Sequence, residues 1–384
     1  MGKLMALCVT AIIFLWAGGH ATALEINGFG DITYSDSSKE VEDGGDNHGS
    51  FTLGQLDLWG TQRIDQDGKM KAFMELVVEN DGEGFVVDLE RLWVEYAVLP
   101  SVKIRGGRFH ISMGHWNRTH HHGAHMQTSV SRPAFLDFED GESAIFPSHM
   151  IGLMALADAG YEFGNFHLEI QFANGSSIKS VGTTKEPAAE IEPNNVIDVD
   201  NSKSIAARLI FSPTVIEGLN LGFSFVTNKV LDDSTGALLP LVRQNIFETD
   251  ITYQENNVEF IFEHYWINDR NDVQGSVDNG ANYTSTAYFV QLGYTLFEAL
   301  TPYVRWEYLD NINKDDVYFK ALQPENTTVA DPDYKEYYQL IYGARYDLNY
   351  NSSVKIEGRS VSEDPSDFNK ETSSVFLAQW TFAF

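Results

Sequence analysis

The sequence predicts an all-β fold, a 16-stranded antiparallel transmembrane β-barrel. Three observations carry that prediction. Sixteen segments alternate apolar and polar residues with a period of two, the pattern of strands that bury one face in an apolar medium. The connections between them alternate between short and long. Beyond the N-terminal leader no apolar run reaches the ~18 residues a membrane helix needs, so strands are the elements left to cross a bilayer.

The leader comes first. Lys3 is its charged start, Leu4 to Trp16 its apolar stretch, and Ala21-Thr22-Ala23 a small-x-small cleavage site. Residues 1–23 therefore read as a signal peptide and residues 24–384 as the barrel. Cys8 is the single cysteine and falls within the signal. An exported chain without disulfides needs another constraint, and a closed hydrogen-bonded barrel supplies one.

The strands are expected near 25–34, 51–63, 69–79, 86–97, 101–111, 149–158, 163–174, 203–212, 218–228, 246–254, 257–267, 284–295, 301–309, 336–348, 352–361 and 373–384. One set of connections is short, such as Asp65-Gln66-Asp67-Gly68, Leu99-Pro100-Ser101 and Asn349-Tyr350-Asn351. The other set is mostly long and polar, with loops at 35–50, 112–148, 175–202 and 310–335 among them. Short periplasmic turns opposite long extracellular loops are the habit of outer-membrane barrels. The faces follow from the charges. Met70, Ala72, Met74, Leu76 and Val78 share one face of the third strand, with Lys71, Glu75 and Glu79 on the other. A base at the lipid midplane costs roughly 2–4 kcal/mol, so the charged faces point inward and the lumen is expected to be wet. The last strand places Phe376, Ala378, Trp380, Phe382 and Phe384 on one face, an aromatic ending of the kind that outer-membrane barrels use as an assembly signal.

Composition agrees. The chain has 17 Tyr, 25 Phe and 7 Trp. Of its 26 bases one lies in the signal, leaving 25 against 55 acids, a mature net charge of −30. Such a surface excludes general nucleic-acid binding and suits one facing divalent cations, outer-membrane lipid and lipopolysaccharide. The location expected is the bacterial outer membrane.

The third long loop, about 112–148, is expected to fold into the lumen as a constriction. Its second half carries Asp137, Glu139, Asp140 and Glu142. Inward bases gather on one arc of the wall: Arg63, Arg91, Lys103, Arg105 and Arg108 on strands two to five, and Arg305, Arg345, Lys355 and Arg359 on strands thirteen to fifteen. Arg108 faces inward only if Gly106-Gly107 makes a bulge. A basic arc opposite an acidic loop would set a transverse field across the passage; pairing of the bases with Asp57, Glu75, Glu95, Glu307 and Glu357 would cancel it. With the acidic first loop, the third-loop acids favour a mild cation preference at low salt.

The segment Val102 to Gly114, with Gly107-Arg108-Phe109 leading into the third loop, resembles the phosphate-selective porin O and P superfamily of bacterial outer-membrane porins, and Gln127 to Pro133 resembles uncharacterised porins of that wider group. The resemblance covers roughly 50 residues. It implies an outer-membrane pore assembled as a homotrimer.

Six of the ten histidines outside the signal lie between 110 and 125. His115, His120, His121, His122 and His125 are candidate ligands for zinc or another divalent cation, since imidazole and nearby carboxylates suit such metals. The same residues could instead anchor the loop to the wall or sense pH. No H-E-x-x-H or G-x-S-x-G motif is present, and no enzymatic activity is expected. The leading function is passive diffusion of small hydrophilic solutes or ions, with no bound cofactor required. The alternatives are a metal-cation uptake pore using the histidine loop and a barrel sheath around a partner protein.

Overall fold

The computed structural model describes residues 25–37, 49–80, 84–121, 123–136, 145–180, 189–191, 202–233, 239–310, 315–321, 337–363 and 372–384. The expected signal peptide, residues 1–23, lies outside these residues, as do His122, Asp137, Glu139, Asp140 and Glu142.

Sixteen antiparallel strands close into a barrel. They are β1 (Glu25–Ser37), β2 (Ser50–Arg63), β3 (Met70–Asn80), β4 (Phe85–Leu99), β5 (Val102–His110), β6 (His149–Tyr161), β7 (Gly164–Asn174), β10 (Lys203–Pro213), β11 (Leu219–Asp232), β12 (Leu239–Glu255), β13 (Val258–Asn271), β14 (Asn282–Tyr294), β15 (Leu300–Asp310), β16 (Tyr337–Asn349), β17 (Ser352–Glu363) and β18 (Thr372–Ala383). Each pairs with its sequence neighbour, and β7 pairs with β10. Two short strands, β8 (Ser176–Ser180) and β9 (Ala189–Ile191), belong to the connection between β7 and β10. Closure is made by β1 against β18, where Gly28 and Phe384 exchange backbone hydrogen bonds of 3.0 and 2.9 Å. A closed barrel has no edge to leave unpaired in lipid. Every strand expected from the sequence is present.

The short connections have the local chemistry their conformations need. Asn256 and Asn257, between β12 and β13, both take positive φ (54° and 65°), as a two-residue hairpin turn requires and as Asn tolerates. Between β2 and β3 the Asp65 carboxylate accepts from the Lys69 and Met70 backbone N–H groups at 3.1 and 2.9 Å.

Period two decides what faces lipid. Along β15, Thr301, Tyr303, Arg305, Glu307 and Leu309 are buried inside, while Val304 and Trp306 are exposed outside. Leu209, Phe223, Phe247, Trp266, Leu292, Leu340 and Trp380 extend the exposed apolar surface around the barrel. The lumen expected to be wet is apolar in one part. An apolar cluster of Ile111, Met113, Trp116, Phe135, Phe146, Tyr265 and Phe289 lies inside the barrel, where the segment after β5 packs on the inner face of the wall.

Candidate functional site: the in-folded third loop

Strand β5 runs along the wall only as far as Arg108, just past a glycine. Its pairing with β4 ends at Leu92↔Arg108, and β6 begins to pair with β7 at Gly152↔Ala173. Beyond those points β5 and β6 stay paired with each other through His110↔His149 and the Ile111 N–H to Ser148 carbonyl bond of 2.9 Å. The two strand tips thus peel off their neighbours as a two-stranded ribbon. Gly107 and Gly152 face each other where this happens. Gly107 has φ +144°, and a Cβ there would sit 2.1 Å from the Leu92 carbonyl oxygen; one on Gly152 would sit 2.2 Å from that of Phe172. Only glycine fits such a departure. Arg108 is buried without any register shift at Gly106-Gly107, so the bulge expected there is replaced by this hinge.

The ribbon leads into a loop that crosses the lumen. Among its described residues, a short helix α1 (His115–Thr119) and a 3-10 turn (Ala134–Leu136) are the regular parts. Near its start the loop leans on β7 and β13. Ser112 N–H donates to Gln171 Oε1 at 2.8 Å, and Trp116 N–H to Glu263 Oε1 at 2.5 Å. Farther on it is held by β13 to β17. Thr128 Oγ1 donates to Glu259 Oε2 at 2.6 Å. Glu357 Oε2 accepts from Val130 N–H at 2.9 Å and Ser131 N–H at 3.1 Å, and Glu307 from Ala134 N–H at 2.9 Å.

The bases on that side serve the same purpose. Arg305 is fully buried and donates to Glu307 Oε1 (2.6 Å), Ser129 Oγ (2.8 Å), the Ser131 carbonyl (2.9 Å) and Ser131 Oγ (2.8 Å). Lys355, also fully buried, donates to the Ala124 carbonyl and to that of Ser129 at 3.0 Å. Arg345 reaches Asp347 at 2.8 Å and the His125 and Gln127 carbonyls at 2.8 and 3.0 Å. Arg359 pairs with Glu357 at 3.0 Å.

The opposite wall differs. Arg91 forms a two-point pair with Glu75, Arg105 pairs with Glu95 at 2.6 Å, and Lys71 with the same Glu95 at 3.2 Å. The acid side chains are 5% exposed, but those of Lys71, Arg91 and Arg105 are 39%, 26% and 17% exposed. Phe73 and Trp93 stack at 5.1 Å; Arg91 lies 4.8 Å from the Phe73 ring centre and Arg105 4.3 Å from that of Trp93. Lys103 is half-buried and Arg63 exposed at the end of β2 next to the short turn. Two open cavities, of about 880 and 350 Å³, flank loop residue Met126 and share Arg345 and Asp347; Trp59, His125 and Tyr350 border the larger, Glu259 and Thr301 the smaller.

The histidines do not assemble as the sequence pattern suggested. His115 and His120 contact each other at 5.6 Å, and His120 lies 5.0 Å from Trp116. Burial, with Arg208 nearby, pushes His115 down to about 4; burial, with His115, Lys355 and Arg345 around it, pushes His120 down to about 3. His125 Nδ1 lies 3.0 Å from Thr381 Oγ1, and burial lowers it too. Each of these three rings is thus held toward its neutral form. His121 alone of the described candidates joins a cluster of possible ligands, with Glu90, His110 and His149.

Sequence reasoning missed Glu90 and His149. Glu90 had a readable signal. The exposed apolar residues of β4 fall at Val87, Leu89, Leu92, Val94 and Tyr96, and the step of three marks a β-bulge. In the register Glu75 faces Arg91 and Leu76 faces Leu89, so Glu90 is the extra residue. His149 had none, because its place opposite His110 depends on the β5–β6 register.

No family model matches the chain, and no curated protein matches it. Solved structures do. An anion-selective porin from Comamonas acidovorans is 13% identical, with 94% of this chain and 99% of that one covered and a TM-score of 0.61. Salmonella typhi OmpF, solved with daunomycin, is 15% identical over 94% and 97%, with a TM-score of 0.57. The trimer form of OmpT, an outer membrane protein of Vibrio cholerae, is 11% identical over 94% and 100%, with a TM-score of 0.56. At these identities the likeness is one of fold.

Proposed function

We propose that the chain is an outer-membrane porin for passive diffusion of small hydrophilic solutes, with the loop after β5 as its constriction. One observation carries this reading. The loop is bonded across the lumen to β13–β17, while Lys71, Arg91 and Arg105 of β3–β5 keep their heads partly in solvent. Water-filled space therefore runs beside the loop, along a wall that offers cations and aromatic faces over buried carboxylates. Porins among the matching folds support the reading, as does the apolar outer surface. The finer placement with the phosphate-selective porin O and P superfamily rests on Val102 to Gly114, and assembly as a homotrimer rests on that resemblance and on the trimer form of OmpT. Selectivity on this reading is a contest between the exposed bases and Asp137, Glu139, Asp140 and Glu142. The acidic mature charge tips it toward mild cation preference. A loop packed into the barrel disfavours a sheath around a second chain.

The test is reconstitution in planar bilayers and in liposomes loaded with sugars of graded size. Discrete conductance steps and a size cut-off are expected. The cation preference should shrink as the Debye length falls from ~30 Å at 0.01 M salt to ~3 Å at 1 M. Folded protein that leaves bilayer conductance at the lipid baseline would refute a diffusion pore.

A further inference from the structure

The ribbon formed by the tips of β5 and β6 turns its two faces to different surroundings. Phe109 and Met150 pack into the apolar cluster of the loop. His110 and His149 pack against Glu90 on β4, and His121 arrives from the end of α1. All four side chains are buried, with 3% to 6% of each residue exposed. The Nε2 atoms of three imidazoles converge on one oxygen. Glu90 Oε1 lies 3.3 Å from His110 Nε2, 2.9 Å from His121 Nε2, and in close contact with His149 Nε2. The ring centres are 4.2, 4.8 and 5.3 Å apart.

The hydrogen bonds around His121 fix its tautomer. Asn117 Nδ2 donates to the Ile111 carbonyl at 3.2 Å, which leaves Asn117 Oδ1 facing His121 Nδ1 at 2.9 Å. The Nδ1 atom therefore carries the proton, and neutral His121 presents its Nε2 lone pair to a carboxylate oxygen. Two electron pairs so close need a cation between them. Protons are a poor answer here. Neutral His110 and His149 can each turn an Nε2–H to Glu90, but a proton on His121 Nε2 would make a buried imidazolium, and the Arg108 guanidinium stands close by, its Nε donating to the Glu90 carbonyl at 3.0 Å. One divalent ion satisfies all four groups.

We propose that Glu90, His110, His121 and His149 bind one zinc-class divalent cation, which clamps the third loop and its ribbon to β4. Three imidazole nitrogens and a carboxylate oxygen are a tetrahedral set for zinc. The four donor atoms already lie within 4.8 Å of one another. A tetrahedral zinc shell spaces its donors by ~3.3 Å, so closing it takes side-chain movements of about an ångström. With four protein ligands the shell is closed, and the ion is structural rather than hydrolytic. Asn117 supplies the outer bond that orients a ligand imidazole. The site explains why a bulge aims Glu90 inward and why the ribbon leaves the wall beside it. It stands whether or not solute crosses the barrel.

The test uses the detergent-solubilised full-length barrel, stripped with a chelator and titrated with Zn(II) and Co(II). Binding of one Co(II) per chain with the strong visible absorption of a tetrahedral complex is expected, and Zn(II) should bleach it. A double variant, Glu90→Gln with His149→Gln, should lose the signal. Asn117→Leu should bind about 10–100-fold more weakly, and His167→Gln, outside the cluster, should bind as the parent does. Heat-modifiable migration in gels verifies that each variant has a closed barrel. If a variant fails to fold, the chelated and reloaded parent still decides the matter, because metal removal should speed proteolysis within the third loop and reloading should reverse it. No stoichiometric binding at micromolar metal, an octahedral spectrum, or a folded double variant that keeps the tetrahedral signal would each overturn the proposal.

Discussion

The two sides of the lumen use similar residues to opposite ends. On β15 and β17, Arg305 and Lys355 are fully buried, and their donors hold carbonyls, hydroxyls and carboxylates of the loop and wall. On β3 to β5, Lys71, Arg91 and Arg105 pair with Glu75 and Glu95 yet leave 17% to 39% of their side chains exposed. Sequence alone treats both groups as inward bases on one arc. The loop makes the difference. Where it docks, water leaves, and a charge must be fully satisfied or become very costly. Where it does not dock, the charge stays available to whatever passes.

The largest effect should come from breaking the dry side. Arg305→Ala removes the cation paired with the buried Glu307 carboxylate, which keeps only the Ala134 N–H, at a cost of about 3–5 kcal/mol. The expected readouts are a lower unfolding temperature and a several-fold higher, noisier conductance as the loop detaches. Unchanged values would erase the distinction between the two walls.

Gly107→Ala attacks the hinge that brings the loop inside. The added Cβ would meet the Leu92 carbonyl at 2.1 Å with φ at +144°, a strain of about 1–3 kcal/mol. Faster proteolysis of the third loop, with the barrel still heat-modifiable, is the expected result. A loop as protected as the parent's would show that the ribbon does not depend on this glycine.

Acid should loosen the same loop by a smaller amount. His115 is neutral in the folded protein, pushed down to about 4 by burial and by Arg208, with His120 beside it. The unfolded ring titrates near 6.5, so stability is full above that pH and is lost as pH falls from about 6.5 toward 4. The slope is at most about 1.4 kcal/mol per pH unit, or about 1–2 kcal/mol at pH 5. His115→Gln should flatten that part of the stability profile against pH. An unaltered slope would exclude His115 as its source.

The smallest change in stability, under about 1 kcal/mol, is expected on the wet side. Lys71→Gln removes a half-exposed cation while Arg105 still pairs with Glu95. Its effect should appear instead in the reversal potential, which should move toward cations. A variant that loses stability and leaves selectivity untouched would mean that the passage runs elsewhere.

The fold was legible in the sequence because a membrane makes it so. Lipid leaves no choice about which face of a strand is apolar, and the requirement reaches every strand, so period two and loop parity located all sixteen. Even the bulge that aims Glu90 was written in the three-residue step from Leu89 to Leu92. The lumen was legible only where partners lie on neighbouring or the same strands, as with Arg91 and Glu75 or Arg305 and Glu307. Elsewhere its polar residues answer to partners distant in sequence: Arg305 to Ser131, Lys355 to Ser129, Glu90 to His149. The histidine run suggested one cluster, yet only His121 of the described candidates entered it, because the path of the loop across the barrel turned the others elsewhere. The sequence by itself determined the barrel, since burial in lipid depends on each residue's own polarity. Only the tertiary structure decided which charges are buried under the loop and which keep contact with solvent, since that depends on where the loop excludes water.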